Sequence, residues 1–243
     1  MTRRRWIADE VRGDTAALLG DHAAHLARVL RAEVGQQFDI AAGDVVRRGT
    51  ITAISSDRVE FALGIHLSLR SAAVVSPAIT LVLAIFKFDR MEWALEKCTE
   101  IGVARIIPVI SRRTDAHLAA AALKRHDRWQ RLIRQASEQS RRAAIPELAA
   151  PIKLKELPMA QTATDAQTRV VLAESEEDAR LAQVLQSRPP DVILAVGPEG
   201  GWAEEELAWF RQTGWVAASL GETILRAETA AIVATALALD VLR

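Results

Sequence analysis

Val192-Ile193-Leu194-Ala195-Val196 followed at once by Gly197-Pro198-Glu199-Gly200-Gly201 decides the fold of this chain, together with Leu220-Gly221-Glu222-Thr223-Ile224-Leu225-Arg226-Ala227-Glu228-Thr229-Ala230 downstream. A short unbroken apolar run bounded by turn residues reads as a buried parallel strand. The glycine-rich segment then leads into a helical pattern, which makes it a loop at the C-terminal end of that strand. In open α/β sheets, ligands bind outside those ends.

The same residues exclude one ligand class. A phosphate cradle needs free backbone N–H groups and a positive helix N-terminus, but Pro198 has no N–H and Glu199, Glu204, Glu205 and Glu206 crowd the helix start. Carboxylates suit a helix N-terminus and repel phosphate. The glycines also lack G-x-G-x-x-G spacing, so a dinucleotide is disfavoured. A ligand that is neutral or cationic where it meets the loop fits better. Taken alone, the segment is equally an ordinary βα turn.

Working outward, residues from Ala78 onward alternate strand and helix patterns, the sign of a parallel sheet. The predicted strands are Ile79 to Phe86, Ile106 to Ile110, Val170 to Ala173, Val192 to Val196 and Val216 to Leu220. The predicted helices are Asp89 to Ile101, about Leu123 to Arg142, Glu176 to Gln186, Ala203 to Thr213 and Ala227 to Leu242. The last is apolar around most of its circumference and is expected to be buried, partly against a second subunit. Residues 1 to 70 carry short β-like runs (Arg5 to Ala8, Phe38 to Ala41, Val45 to Ile54, Val59 to Leu63) and one helical pattern from Leu18 to Leu30. They form an expected small β-rich domain 1–70, joined through a linker at Ser71 to Pro77 to a domain 77–243.

Half of the 243 residues are apolar and 26% are charged, which places the chain among globular proteins. The most apolar stretch, Ala72 to Phe86, is interrupted by Ser76 and Pro77 and is shorter than the roughly 20 residues of a bilayer span. The acidic and basic residues after Arg5 leave no signal-peptide apolar region, so a cytoplasmic location is expected. Cys98 stands alone, and no Cys/His spacing suits a metal.

The net charge of zero hides a strong asymmetry: residues 105–155 hold 12 Lys/Arg against 4 Asp/Glu, and residues 156–243 hold 6 against 14. Arg128, Arg131, Arg134, Arg141 and Arg142 surround the apolar stripe Trp129, Leu132, Ile133, Ala136. Arg112 and Arg113 follow a strand, and Arg3, Arg4, Arg5, Arg28, Arg31, Arg47 and Arg48 lie in the β-rich part. A charge run is usually a solvated face. Two basic regions together suit a protein that grips folded RNA, since guanidinium groups pair with phosphates and stack on bases. No catalytic triad is visible: tyrosine is absent, no serine sits in a G-x-S-x-G elbow, and the five histidines lie outside both loops. Chemistry at the loops must rest on Glu, Arg, Thr and backbone groups, which suits a transfer governed by positioning and electrostatics.

The chain resembles the bacterial 16S ribosomal RNA uracil-N(3)-methyltransferases of the SPOUT class. The resemblance is carried by His25-Leu26-Ala27-Arg28-Val29-Leu30-Arg31, Met91-Glu92, Glu96 to Val103, Arg128-Trp129, Glu138-Gln139-Ser140, Ile145-Pro146 and the two C-terminal segments. It departs at Gln36, at Ile85-Phe86-Lys87-Phe88-Asp89, where the family shows a Lys-Gly-Asp turn, and at Arg141. The resemblance implies an α/β fold with a C-terminal trefoil-knot domain, preceded by a PUA-like β-barrel for RNA. It also implies a homodimer formed through the C-terminal domain, with 16S rRNA or the small subunit as partner.

The donor implied is S-adenosylmethionine, whose sulfonium is cationic and which has no phosphate. The residues implied to hold it are Leu172, Ala173, Glu174, Gly197, Pro198, Glu199, Gly200, Gly201, Ser219, Leu220, Gly221, Ile224, Leu225, Arg226, Thr229 and Ala230. Arg226 is the candidate to stabilise an anionic uracil ring, and Glu199 or Glu228 to orient the donor or assist proton removal. On other readings Arg226 is a structural partner of Glu199 or Glu222, and Glu228 answers the dipole of the last helix. Rival functions are a SPOUT ribose 2′-O-methyltransferase and a non-catalytic RNA-binding protein.

Overall fold

The structure, a computed structural model, describes residues 5–42, 45–68, 78–157 and 167–242. Contacts divide the chain into two units, Met1–Val74 with Ser137–Ile145, and Val75–Ala136 with Pro146–Arg243. Arg3, Arg4 and the Ser71 to Pro77 linker lie outside the described residues.

The first unit contains β1 (Trp6–Ile7), β2 (Glu10–Arg12), β3 (Thr15–Leu19), α1 (Gly20–Ala24, continued by a π-helical stretch over His25–Val29), β4 (Gln37–Ala42), β5 (Val45–Ile54) and β6 (Arg58–Ser68). These strands form one sheet in the order β1-β4-β5-β6-β3-β2, antiparallel except for the parallel pair β1 and β4. Leu18 and Leu19 belong to β3 and not to the predicted helix, because they pair with Val59 and Arg58 across β6. Gly20, at φ +53, turns the chain into α1 at a conformation that costs an L residue more than glycine. Trp6, Leu18, Leu26, Ile40, Ile51 and Phe61 fill the core.

From Ala78 onward strands and helices alternate as predicted except at the two short unpredicted strands β9 and β10: β7 (Ala78–Ala84), α2 (Phe88–Ile101), β8 (Arg105–Ile110), α3 (Ala116–Gln139), β9 (Glu147–Leu148), β10 (Ile152–Lys153), β11 (Gln167–Leu172), α4 (Leu181–Val184), β12 (Asp191–Val196), α5 (Glu204–Gln212), β13 (Val216–Ala218) and α6 (Ala227–Leu242). Every pairing is parallel, in the order β10-β8-β7-β12-β11-β13, with β9 also beside β8. Side chains alternate across the strands. Val82, Ala84, Ile107, Val109, Val171, Ile193 and Ala195 pack with Trp202, Phe210 and Trp215. Leu81, Leu83 and Leu194 are fully buried on the opposite face, where α6 lies on β7 and β12 and against α2.

Several predicted bounds differ, among them the end of β13 at Ala218 and not Leu220, the start of β11 at Gln167 and not Val170, and the end of α3 at Gln139 and not Arg142. The strand expected to reach Phe86 ends at Ala84. The helix expected from Leu123 begins at Ala116, extended by alanines of high helix propensity. The helix expected over Glu176 to Gln186 shrinks to Leu181–Val184, because the Glu176 carboxylate accepts the N–H groups of Asp178 and Ala179, both at 3.1 Å, and holds that stretch as a turn.

Cys98 is buried in α2, and the Thr235 hydroxyl of α6 lies 3.6 Å from its sulfur while donating to the Ala231 carbonyl at 2.8 Å. Burial pushes the thiol up from its ordinary 9.0 to about 12. Because the folded thiol holds its proton more tightly than the unfolded one, this contribution to stability is complete below pH 9 and is lost as pH rises toward 12. Native protein at pH 8 is therefore expected to resist a thiol reagent that labels Cys98 stoichiometrically in denaturant, as absorbance titration will read.

Candidate functional site

The strand order places β12, β11 and β13 side by side and parallel, so the loops leaving all three open at one end of the sheet. Those loops are Ala173 to Arg180, Gly197 to Ala203 and Ser219 to Arg226. They surround a cavity of about 500 Å³, within the range of small-molecule sites. The walls are fastened by backbone bonds: Ala173 N–H to the Ala218 carbonyl at 3.1 Å, Leu181 N–H to the Ser219 carbonyl at 3.0 Å, and Ser219 N–H to the Ala179 carbonyl at 2.8 Å.

Gly197 to Gly201 forms a tight turn in which Gly201 N–H bonds the Pro198 carbonyl at 2.8 Å. Gly201 has φ +71, where a side chain would be strained. A β-carbon on Gly197 would stand 3.3 Å from the Trp202 ring. Trp202 is buried, and its ring meets that of Phe210 edge to face at 5.0 Å.

Glu206 organises the far side of this turn. Its buried carboxylate accepts Ala203 N–H at 2.9 Å, capping α5, and Arg112 N–H at 2.7 Å, which ties the loop after β8 to the same helix start. Arg113, in that loop, donates to the Gly200 carbonyl. A Glu three residues into a helix is the signal that identifies the cap. The bond to Arg112 spans residues far apart in sequence and leaves no local signal.

Of the residues expected to bind the donor, Leu172 to Glu174, Gly197 to Gly201, Ser219 to Gly221, Ile224, Leu225 and Ala230 line the cavity. Arg226, Thr229 and Glu228 are outside its lining: Arg226 and Thr229 are exposed, and Glu228 is 3% exposed in the first turn of α6. Glu199 and Glu222 take partners other than Arg226, namely Arg90 at 2.7 Å and Arg180 at 3.7 Å. Glu174, Glu199, Glu204 and Glu222 face Arg113 and Arg211 around the cavity, so acidic groups predominate.

The expected RNA-contacting arginines fall into both units. In the first, Arg28 and Arg31 are exposed, Arg5 donates to the Arg141 carbonyl, and Arg48 and Arg141 lie 3.3 and 3.9 Å from Asp39. Arg47 bonds the Gly64 and Leu63 carbonyls at 3.0 and 2.9 Å and Asp14 at 2.8 Å, bracing strand ends. Burial lowers the Arg142 guanidinium from its ordinary value. In the second unit, Arg112 and Arg113 are exposed near the cavity. Arg128 makes a two-pronged pair with Glu92, both bonds 2.8 Å, which raises its pKa.

Residues 75–239 match the RNA methyltransferase domain family. The chain belongs to that family. This RNA methyltransferase is 33% identical over 227 residues to ribosomal RNA small subunit methyltransferase E of Mycobacterium tuberculosis, covering 91% of this chain and 85% of that one. It is 27% identical over 228 residues to the protein of the same name from Bacillus subtilis, covering 90% and 88%. Its fold matches the crystal structure of ribosomal RNA small subunit methyltransferase E from Neisseria gonorrhoeae bound to S-adenosyl methionine, with a TM-score of 0.83 and 29% identity over 96% of this chain and 95% of that one. Among the described residues, the RNA methyltransferase has no helix long and apolar enough to cross a membrane and no cluster of His, Cys, Asp and Glu that could hold a metal ion.

Proposed function

We propose that this chain transfers a methyl group from S-adenosylmethionine to the N(3) nitrogen of a uridine in 16S ribosomal RNA. One observation carries the reading: three loops from adjacent parallel strand ends enclose a glycine-floored, acid-rimmed cavity. The fit of the donor is supported by the donor set around that cavity. Pro198 offers no amide to a phosphate, a β-carbon at Gly197 would press on Trp202, and carboxylates favour a cation.

Bound, S-adenosylmethionine supplies an electrophilic methyl on a sulfur that departs as a neutral thioether. The chain's own residues then have two tasks. The uracil nitrogen must lose its proton, a role assigned to Glu199, which lines the cavity where Glu228 does not. The anionic ring must be stabilised by a cation, the role assigned to the exposed Arg226 beside the cavity-lining Leu225.

Residues 1–70 act as a PUA-like β-barrel domain that grips RNA with Arg3, Arg4, Arg5, Arg28 and Arg31, and residues 77–243 as a SPOUT domain with a trefoil knot. Further RNA contacts are assigned to Arg141 and Arg142 in the first unit and to Arg112, Arg113 and Arg128 in the second. The enzyme works in the cytoplasm as a homodimer joined through its C-terminal domain, on 16S rRNA or the small subunit.

Calorimetry with S-adenosylmethionine tests the donor site, and nucleoside mass spectrometry of 16S rRNA from a strain lacking the protein tests the product. Loss of N(3)-methyluridine is expected; loss of a 2′-O-methyl nucleoside instead would replace the assignment. Arg226→Ala is expected to retain donor affinity while single-turnover transfer slows about 10²–10³-fold, the cost of removing one preorganised charge donor. A rate near that of the parent protein removes Arg226 from this role.

A further inference from the structure

Glu199 and Glu228 are joined through a residue that neither C-terminal segment contains. Arg90, in the first turn of α2, donates from Nη1 to Glu199 Oε1 at 2.7 Å, and its Nε lies 3.9 Å from Glu228 Oε1. The two carboxylates differ sharply in setting: the Glu228 side chain is 4% exposed and the Glu199 side chain 35%. Oε2 of Glu228 is buried without a hydrogen-bond partner. A buried carboxylate needs a counter-charge, and Arg90 supplies a cation beside it. The guanidinium is thus held from behind by α6 and presents its other edge to the cavity wall. A planar fork can serve two carboxylates at once, which a single ammonium does poorly.

We propose that Arg90 is a positioning residue for methyl transfer: anchored on buried Glu228, it holds the Glu199 carboxylate in one orientation in the cavity wall, so that Glu228 acts through Arg90 and not on the substrate. The inference rests on the reading that this cavity holds S-adenosylmethionine. It also accounts for Glu228 lying outside the cavity lining while Glu199 lies within it. The Gly197 to Gly201 turn is then secured from two sides, by Arg90 at Glu199 and by Arg113 at the Gly200 carbonyl.

The test uses the full chain and separates a structural from a positioning role. Arg90→Met alone leaves Glu228 buried without its cation, so it is combined with Glu228→Gln, which removes that charge too. The double variant is expected to melt near the parent protein, yet to transfer methyl about 10²-fold more slowly in single turnover, the scale of a small misplacement at a reacting centre. Arg90→Lys is expected to keep the melting temperature and recover only part of the rate. A folded double variant transferring at the parent rate overturns the proposal, since Arg90 would then only balance a buried charge. If the double variant does not fold, Arg90→Lys decides: a reduced rate at unchanged melting temperature supports positioning, and an unchanged rate overturns it. Failure of the underlying reading shows separately, as absence of S-adenosylmethionine binding by the parent protein.

Discussion

Phe210→Ala is expected to destabilise the second unit by about 3–5 kcal/mol, the range for truncating a large buried aromatic side chain, and to weaken donor binding with it. Phe210 is fully buried, with its ring centroid 5.0 Å from Trp202, 5.1 Å from Trp209 and 5.0 Å from Trp215, all edge to face. Such pairs add about 0.5–1.5 kcal/mol each beyond area burial. The same cluster supports the cavity, because Trp202 lines it and stands against Gly197. Urea unfolding followed by tryptophan fluorescence reads the stability, and calorimetry under native conditions reads the donor. A shift in the urea midpoint with donor affinity intact would show that the Trp202 wall holds its place without Phe210.

Gly197→Val is expected to weaken S-adenosylmethionine binding more than about 100-fold, equivalent to nearly 3 kcal/mol, with a smaller effect on folding. Its β-carbon would already lie 3.3 Å from the Trp202 ring and 3.4 Å from the Gly201 carbonyl carbon. The two γ-carbons would then have to enter the cavity or displace the turn, and overpacking of this kind costs about 1–3 kcal/mol. Gly197→Ala makes the same first contact without the branches and is expected to fall between the two. Calorimetry on folded Gly197→Val that finds donor affinity near the parent value would mean that the ligand does not approach the turn.

Much of the second unit was legible because its strands are short apolar runs and its helices carry clear stripes. Ile106 to Ile110 and Val192 to Val196 correspond closely to β8 and β12, and Ala227 to Leu242 to α6. Sequence pattern and structure part where side chains or distant partners compete with local preference. Glu176 diverted its own segment into a turn, and Leu18 and Leu19 joined a strand because β6 offered them partners. The hairpin of β2 and β3 carries no clear sequence signal, because Glu10 to Arg12 is short and mostly polar. At the cavity, glycine and acidic residues announced the loops, but the exposed side chain of Arg226 and the buried one of Glu228 are a matter of packing.

Sequence alone determined that apolar strands end in glycine-rich and acidic loops unsuited to phosphate, since hydrophobic runs, glycine conformations and the missing N–H of proline are local properties. Only the tertiary structure decided that β11 lies between β12 and β13, which brings three loops to one cavity, and that Arg90 of a distant helix bridges Glu199 to Glu228. Strand neighbours and ion-pair partners are chosen by pairing and burial between segments far apart in the chain, and no local pattern of residues encodes that choice.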